Sequence, residues 1–239
     1  MRGFVLTQSL FRKKFVEMAQ SRDSRLILAL DTADAQKARD VLEKCGHELA
    51  AVKTHPEHAL LWGKPHKELV REIKNIAGLP VVLDAKLADV GHSNAMKANY
   101  YFGQGYDAII CHAFPGEEAV RAIVDAAGEE RGVFVLCAMT SPGHLFSRDI
   151  VKKAAEIAKN TGAAGAIAPG NQYDVISLIR KELGTQALIL SPGIGAQGGD
   201  AAKAAKAGTD FAIVGRSIIG AHNPAEEARR LRKAFNAVI

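Results

Sequence analysis

The sequence predicts an α/β protein, a single (β/α)8 TIM barrel preceded by a short N-terminal helix. Three observations lead to this prediction. From residue 25 onward, β-rich runs alternate with longer segments of helical apolar spacing. The runs are almost continuously apolar, as are parallel strands covered by helices. Eight such units follow one another without a linker or a break in composition, which fits the barrel. A doubly wound open sheet is the alternative fold.

The strands can be read directly from the sequence. Each is a run of seven or eight residues, rich in Val, Ile, Leu and Ala, that ends at a polar or turn residue. In chain order they are RLILALD (25–31), LAAVKTH (49–55), PVVLDAK (80–86), YDAIICH (106–112), GVFVLCAM (132–139), AAGAIAP (163–169), QALILSP (186–192) and DFAIVGR (210–216).

The segments between the strands begin with helix-starting residues and carry apolar side chains at i, i+3 and i+4. The first segment is residues 1–24, and we expect it to be a helical extension capping the barrel domain of residues 25–239. Its apolar residues that can share one helical face are Phe4, Leu10, Phe11, Phe15 and Met18. A transit peptide is the alternative, against which Glu17 and Asp23 argue. Clear helical segments of the barrel are residues 32–46, 115–130, 147–162 and 223–239.

Composition excludes several classes of protein. The chain has 239 residues, 48% hydrophobic and 24% charged, and no apolar run approaches the roughly 20 residues that span a bilayer. Three widely spaced cysteines in apolar surroundings predict reduced core thiols, and hence a cytoplasmic protein, rather than a disulfide or metal site.

The net charge is +5, but acidic and basic residues are interspersed along the chain. The basic segments 11–14 and 229–233 are therefore expected to be solvated helix faces rather than a nucleic-acid site.

The residues that carry chemistry stand at the predicted strand ends, where active sites of such barrels lie. Side chains alternate along a strand, so Asp84 and Lys86 are both expected to face the barrel mouth. Asp89 follows in the loop and need not face the same way. A lysine between carboxylates keeps its proton, because opposite charges outweigh desolvation, which makes Lys86 a candidate general acid. A structural ion pair is the alternative. The other polar strand ends are Asp31, Lys53, His55, Met139, Thr140, Ser191 and Arg216.

Two further stretches predict a phosphate site. SPGIGAQGGD (191–200) follows the seventh strand and VGRSI (214–218) ends the eighth, and the loops after these strands commonly bind phosphate in this fold. Glycines let backbone N–H groups approach an anion, and Arg216 can add a charge-assisted fork. Glycines that serve only as turn residues are the alternative. The candidate substrate-binding residues of the two stretches are Pro192, Gly193, Gly195, Gln197, Gly215 and Arg216.

At these residues the chain resembles the orotidine 5′-phosphate decarboxylase family, in the compact form of its archaeal members. The resemblance covers residues 25–235. It rests on LALD, on Lys53, on DAKLAD as D-x-K-x-x-D, and on MTSPG, PGIGAQGGD and IVGRSI in the family's order. The D-x-K-x-x-D element is shared with keto-gulonate-phosphate decarboxylase and hexulose-phosphate synthase. Those metal-dependent relatives have an acidic ligand in place of Lys53 and no counterpart of Gln197, although DAKLADVG by itself looks closer to the keto-gulonate branch.

The resemblance implies decarboxylation of orotidine 5′-phosphate to uridine 5′-phosphate without a metal or an organic cofactor. Lys86 would protonate C6 as carbon dioxide leaves, while Asp84 lies against the substrate carboxylate. In this family the second Asp of the motif comes from the partner subunit. The resemblance therefore implies a homodimer with shared active sites, in which Asp89 and Ser93 reach the ribose bound by the other chain. Lys53 and Asp89 would complete a charge network with Asp84 and Lys86.

The remaining substrate contacts are also carried over by position. Asp31 and Lys53 would contact the ribose hydroxyls. Thr140 aligns with a family serine that hydrogen-bonds the pyrimidine, and Ser141 is the alternative because the order here is Met-Thr-Ser-Pro-Gly. Two rival functions stay open: a metal-dependent decarboxylase or aldolase on the same scaffold, and a non-catalytic protein that binds a phosphorylated ligand.

Overall fold

The computed structural model of the chain describes residues 8–195 and 198–238. Its centre is a closed barrel of eight parallel strands, each paired with the next in sequence, and β8 pairs with β1 to close it. The predicted barrel is therefore confirmed, and the open sheet is excluded. The strands are β1 (Leu26–Ala29), β2 (Ala51–Thr54), β3 (Val81–Leu87), β4 (Ala108–His112), β5 (Gly132–Leu136), β6 (Gly165–Ile167), β7 (Leu188–Pro192) and β8 (Phe211–Val214).

Helices surround the barrel, and none of those described is long and apolar enough to cross a membrane. Two helices follow β2 and two follow β8, so the alternation is not strictly one to one. The helices are α1 (Ser9–Ser21), α2 (Ala35–Cys45), α3 (Glu57–Leu61), α4 (His66–Ala77), α5 (Gly91–Gly103), α6 (Glu117–Ala127), α7 (Arg148–Thr161), α8 (Tyr173–Leu183), α9 (Ala201–Ala207), α10 (Arg216–Ile219) and α11 (Pro224–Asn236), with a 3-10 turn at Gly46–Glu48.

The core has two layers because strand side chains alternate. In β1, Ile27 and Ala29 face the barrel interior, whereas Leu26 and Leu28 face the surrounding helices. Residues of the other strands divide in the same way, so almost every strand position is buried. The three cysteines are free and buried in these layers, as predicted: Cys45, Cys111 and Cys137.

Helix α1 closes the end of the barrel at which the strands begin. The Phe15 ring, 2% exposed, belongs to the inner layer, with its centroid 4.9 Å from that of Phe211. Gln8 Oε1 accepts hydrogen bonds from the backbone N–H groups of Val133 and Ala164, at 2.9 and 2.7 Å. Because these groups lie at the start of β5 and just before β6, the opposite end of the barrel is the open one.

Four strands, β1, β5, β6 and β8, end two or three residues before their predicted ends. β5 ends at Leu136, so Thr140 lies in the loop that follows. β8 ends at Val214, and Gly215 turns the chain so that Arg216 is the first residue of α10. Both side chains still lie at the open end, because the chain leaves each strand in that direction.

Candidate active site

Charged side chains from β2 and β3 and from the loop after β1 meet at the open end of the barrel. Lys53 Nζ lies 3.1 Å from Asp84 Oδ2 and 3.5 Å from Asp31 Oδ1. Lys86 Nζ lies 2.7 Å from Asp84 Oδ1. Asp84 is thus held between two ammonium groups, one on each carboxylate oxygen. The structure brings together four of the residues proposed from the sequence.

The backbone of β3 is irregular where it presents these charges. Leu83 pairs with Ile109, and Leu87 pairs with Cys111. Between these two pairs β3 therefore contains two more residues than β4. Within this bulge Lys86 has a φ of +45°, in the left-handed region that non-glycine residues seldom adopt. The predicted contact between Asp84 and Lys86 is present, but strand alternation is only part of the reason for it.

The carboxylates of Asp31 and Asp84 remain ionised. Burial by itself would raise the pKa of Asp84, but the ammonium groups of Lys53 and Lys86 outweigh it and lower the pKa. Burial also opposes ionisation of Asp31, and a hydrogen bond from His55 together with the charge of Lys53 lowers its pKa. The site therefore has alternating fixed charges, an arrangement that buried ions need in order to be stable.

These charges form one wall of a cavity of about 240 Å³. Thr140 and Met139 line it from the loop after β5, whereas Ser141 is not among the lining residues and is exposed. Ser191 takes no part, because its buried hydroxyl bonds to Thr209. The floor is apolar, and its residues come from β4, β5, β6 and β8: Ile110, Leu136, Ile167 and Ile213.

The rim formed by the chain leaving β7 and β8 carries the predicted phosphate-binding residues. Pro192, Gly193, Gly215 and Arg216 line the cavity there. Arg216 is exposed, and no carboxylate of the described chain forms an ion pair with it. Its guanidinium is therefore available to an anion.

The glycines of this rim are required by the backbone. Gly193 and Gly195 have φ values of +93° and +81°, which glycine adopts without strain. A Cβ at Gly215 would stand 3.0 Å from the carbonyl oxygen of Ala29. Gly195 lies behind the rim against Ser217 rather than in the cavity wall, and Gln197 lies outside the described residues.

Asp89 and Ser93 are not in the cavity. Asp89, in the loop between β3 and α5, pairs with Lys97 at 2.7 Å. Its backbone N–H donates to Asn94 Oδ1 at 3.1 Å, which fixes the loop to the first turn of α5. Ser93 lies on that same turn. Within one chain, therefore, neither residue contacts the charges of the site.

Sequence reasoning named His55 as a polar strand end but did not include it among the candidate site residues. His55 Nε2 lies 2.8 Å from Lys53 Nζ and 3.3 Å from Asp31 Oδ1, so the ring is part of the charged wall. The available signal was its position two residues after Lys53, which places both side chains on the same face of the chain.

The other cavities and clusters carry less chemistry. A groove of about 400 Å³ at the closed end of the barrel is lined largely by apolar side chains of α1 and of the segment just before β3. Of its charged residues, Lys74 pairs with Asp107 and Lys14 pairs with Glu130. Across residues 8–195 and 198–238, no group of three or more His, Cys, Asp or Glu side chains could hold a metal ion.

Comparison with known proteins places the chain in a family. The sequence model of the orotidine 5′-phosphate decarboxylase / HUMPS family matches residues 24–231. Orotidine 5′-phosphate decarboxylase of Thermococcus kodakarensis is 38% identical over 91% of this chain and 99% of its own. The crystal structure of that enzyme from Pyrococcus horikoshii matches with a TM-score of 0.79 and 33% identity, covering 88% of this chain and 98% of the other. The Methanocaldococcus jannaschii enzyme, complexed with the inhibitor BMP, matches with a TM-score of 0.81 and 30% identity, covering 89% and 99%. The chain therefore belongs to the orotidine 5′-phosphate decarboxylase / HUMPS family, which its sequence motifs predicted.

Proposed function

We propose that this protein decarboxylates orotidine 5′-phosphate to uridine 5′-phosphate and carbon dioxide. The observation that carries the proposal is the Lys86 ammonium, held 2.7 Å from Asp84 at the mouth of a cavity with an apolar floor. Arg216 and the glycine-containing rim line the same cavity, where a substrate phosphate can bind. The relatives named above, which match along nearly their whole length, carry the same activity in their names.

The chemistry is a proton transfer coupled to loss of carbon dioxide. The bond between C6 and the carboxylate carbon breaks, and its electron pair stays on C6. Lys86 donates a proton to C6, is left as a neutral amine and takes a proton back from solvent. A fixed ammonium stabilises charge that develops only in the transition state, so it accelerates the reaction rather than tightening ground-state binding. Asp84 keeps the ammonium in place and lies against the substrate carboxylate.

The other polar groups are proposed to bind the nucleotide. Asp31 and Lys53, joined by His55, are placed to hold the ribose hydroxyls, and Thr140 to hydrogen-bond the pyrimidine. Arg216 and the backbone N–H groups of Gly193 and Gly215 are proposed to bind the phosphate, with Pro192 shaping the rim beside them and Gly195 supporting it from behind. The family resemblance assigns Gln197 a contact with both phosphate and base. Because the phosphate lies far from C6, its binding energy is available to position the base over Lys86.

The metal-dependent relatives remain the main rival, because the matched family model is shared with them. Lys53 argues against that rival, since an ammonium stands where those relatives have an acidic ligand. We expect the fall in ultraviolet absorbance of orotidine 5′-phosphate to proceed unchanged in excess chelator. Activity that chelator abolishes and Mg²⁺ restores would favour the rival. Tight binding of uridine 5′-phosphate without any turnover would favour a non-catalytic binder.

A homodimer with shared sites is also part of the proposal. Ser93, Met96, Lys97 and Tyr100 follow helical spacing along one face of α5, and Met96 and Tyr100 are 61% and 53% exposed. Exposed apolar groups beside Asp89 are what a subunit contact would cover. The occupant we propose is a second copy of the chain, which receives Asp89 and Ser93 into its cavity.

Subunit mixing tests this part. Lys86→Ala and Asp89→Ala chains, each nearly inactive alone, should regain activity when they are unfolded together and refolded, because one site of each mixed dimer is then intact. Failure of the mixture to gain activity, with mixed dimers demonstrated, would show that each chain uses its own Asp89.

A cytosolic location completes the proposal and is supported by the three buried free thiols, which suit a reducing compartment.

A further inference from the structure

The short helix α3 contains a buried histidine that the proposed chemistry does not use. His58 is 4% exposed, although Leu60 on the same helix is 84% exposed. Its Nδ1 accepts a hydrogen bond of 3.1 Å from the backbone N–H of His55. The β2 strand ends at Thr54, so His58 replaces a strand neighbour as the acceptor for this N–H.

The other side of the His58 ring is fixed as well. It stacks on Trp62 with ring centroids 4.9 Å apart and an angle of 14° between the planes. Trp62 Nε1–H in turn donates to the carbonyl oxygen of Thr32 at 3.0 Å. Since Thr32 follows Asp31, this link joins the chain leaving β1 to the chain leaving β2.

The ring of His58 is neutral at physiological pH. Burial, with a further contribution from the charge of His55, lowers its pKa to about 4. An uncharged ring keeps the Nδ1 lone pair available as an acceptor. It also stacks on the indole without bringing a buried charge next to Lys53.

From this link we propose that His58 is a positioning residue for ribose recognition. Through Trp62 on one side and the backbone of His55 on the other, it holds the β1 and β2 exits together, so that Asp31, Lys53 and His55 converge. The inference rests on the proposed function, because it takes the ribose of the nucleotide as the group that this wall binds. His58 itself touches no substrate.

The test compares variants that keep or remove the acceptor. In His58→Asn the amide oxygen can take the place of Nδ1, whereas His58→Leu fills the space without an acceptor. Dissociation constants are measured by calorimetry for uridine 5′-phosphate, for its 2′-deoxy analogue and for inorganic phosphate. Thermal unfolding of each variant is recorded alongside.

For His58→Leu we expect uridine 5′-phosphate to bind about tenfold more weakly, because the variant loses one hydrogen bond that positions the ribose-binding residues. The dissociation constants of the 2′-deoxy analogue and of phosphate should change little. The preference for the ribonucleotide then falls by a similar factor. His58→Asn should keep this preference to within about twofold of the wild type. A merely structural role would lower the melting temperature without changing the preference.

Trp62→Phe is the second variant, which keeps the stack but cannot donate to Thr32, and it should also lose part of the preference. An unchanged preference in both His58→Leu and Trp62→Phe would overturn the inference, even if the wild type decarboxylates its substrate normally. If His58→Leu does not fold, Trp62→Phe alone decides. A wild type that binds uridine 5′-phosphate with ribose preference but does not turn over substrate would overturn the proposed function alone. A wild type that does not bind the nucleotide would overturn both.

Discussion

The left-handed backbone conformation of Lys86 leads to a prediction that separates the catalytic role of the ammonium group from the free-energy cost of that conformation. Lys86 has a φ of +45°, a conformation that costs an L-residue about 1–2 kcal/mol. Lys86→Ala removes the ammonium and keeps this cost, whereas Lys86→Gly removes both. Each variant loses the same ion pair with Asp84, so that loss cancels when the two are compared.

The difference in stability can be worked out from these terms. Glycine escapes the 1–2 kcal/mol of backbone strain but gives the unfolded chain more freedom, which costs roughly 0.5–1 kcal/mol. From the midpoints of these two ranges, Lys86→Gly should have a free energy of unfolding about 0.75 kcal/mol greater than that of Lys86→Ala. In activity the two should be equal, and both should lose at least roughly 10²–10⁴-fold in turnover, as expected when a general acid is removed.

Two assays measure the two effects. Urea unfolding gives the stability difference, and the ultraviolet decrease of orotidine 5′-phosphate gives turnover. If Lys86→Ala proves more stable than Lys86→Gly by about 0.5–1 kcal/mol, the difference that glycine's unfolded-state freedom alone would produce, the left-handed conformation carries no cost and the argument from backbone strain is wrong. Near-normal turnover in either variant would refute the role of Lys86 as proton donor.

Three other predictions concern binding and stability. Arg216→Ala should weaken uridine 5′-phosphate about 10- to 150-fold, the equivalent of about 1.5–3 kcal/mol for charged hydrogen bonds, and leave uridine unaffected in calorimetry; equal losses for both ligands would contradict a phosphate role. Burial opposes ionisation of Glu48, but its hydrogen bond from Arg229 (2.9 Å) lowers the pKa of Glu48 below the unfolded value. Its stabilisation is therefore present at neutral pH and is lost as pH falls below about 4.3, and urea unfolding of Glu48→Gln should lack that part of the acid dependence. Phe15→Ala should cost about 3–5 kcal/mol of stability without changing the Michaelis constant, since α1 closes the end of the barrel remote from the site; a raised Michaelis constant would show otherwise.

The barrel was predictable because its signal is repeated along the chain. Each strand is an apolar run with a polar end. In a barrel of parallel strands the carboxyl ends all lie at the same end of the barrel, independently of the conformation of the loops. That rule alone placed Asp31, Lys53, Asp84 and Lys86 in one site. The limits of single strands were less predictable. The sixth predicted run, residues 163–169, forms only Gly165–Ile167 as a strand.

The features that sequence reasoning could not supply depend on contacts between distant segments. The bulge in β3 is visible only as a register shift in its pairing with β4, and no glycine marks the left-handed residue within it. His58 is buried by Trp62 and by the backbone of His55, so its environment becomes visible only when α3 is placed. Short helices such as α3 carry little periodicity, so the sequence does not distinguish an anchored histidine ring from an exposed one.

The division of the cavity into a charged wall and an apolar floor suits a reaction that moves a negative charge from a carboxylate to C6. The substrate carboxylate is an anion, whereas carbon dioxide is neutral and apolar. A floor of Ile110, Leu136 and Ile167 solvates a carboxylate poorly and accepts carbon dioxide readily, so it favours the product of bond cleavage over the substrate. The negative charge left on C6 then lies beside the Lys86 ammonium, which is already fixed by Asp84. Since neither the Lys86 ammonium nor the Asp84 carboxylate has to reorganise during the reaction, their electrostatic stabilisation of the charge on C6 lowers the energy of the transition state and so raises the rate.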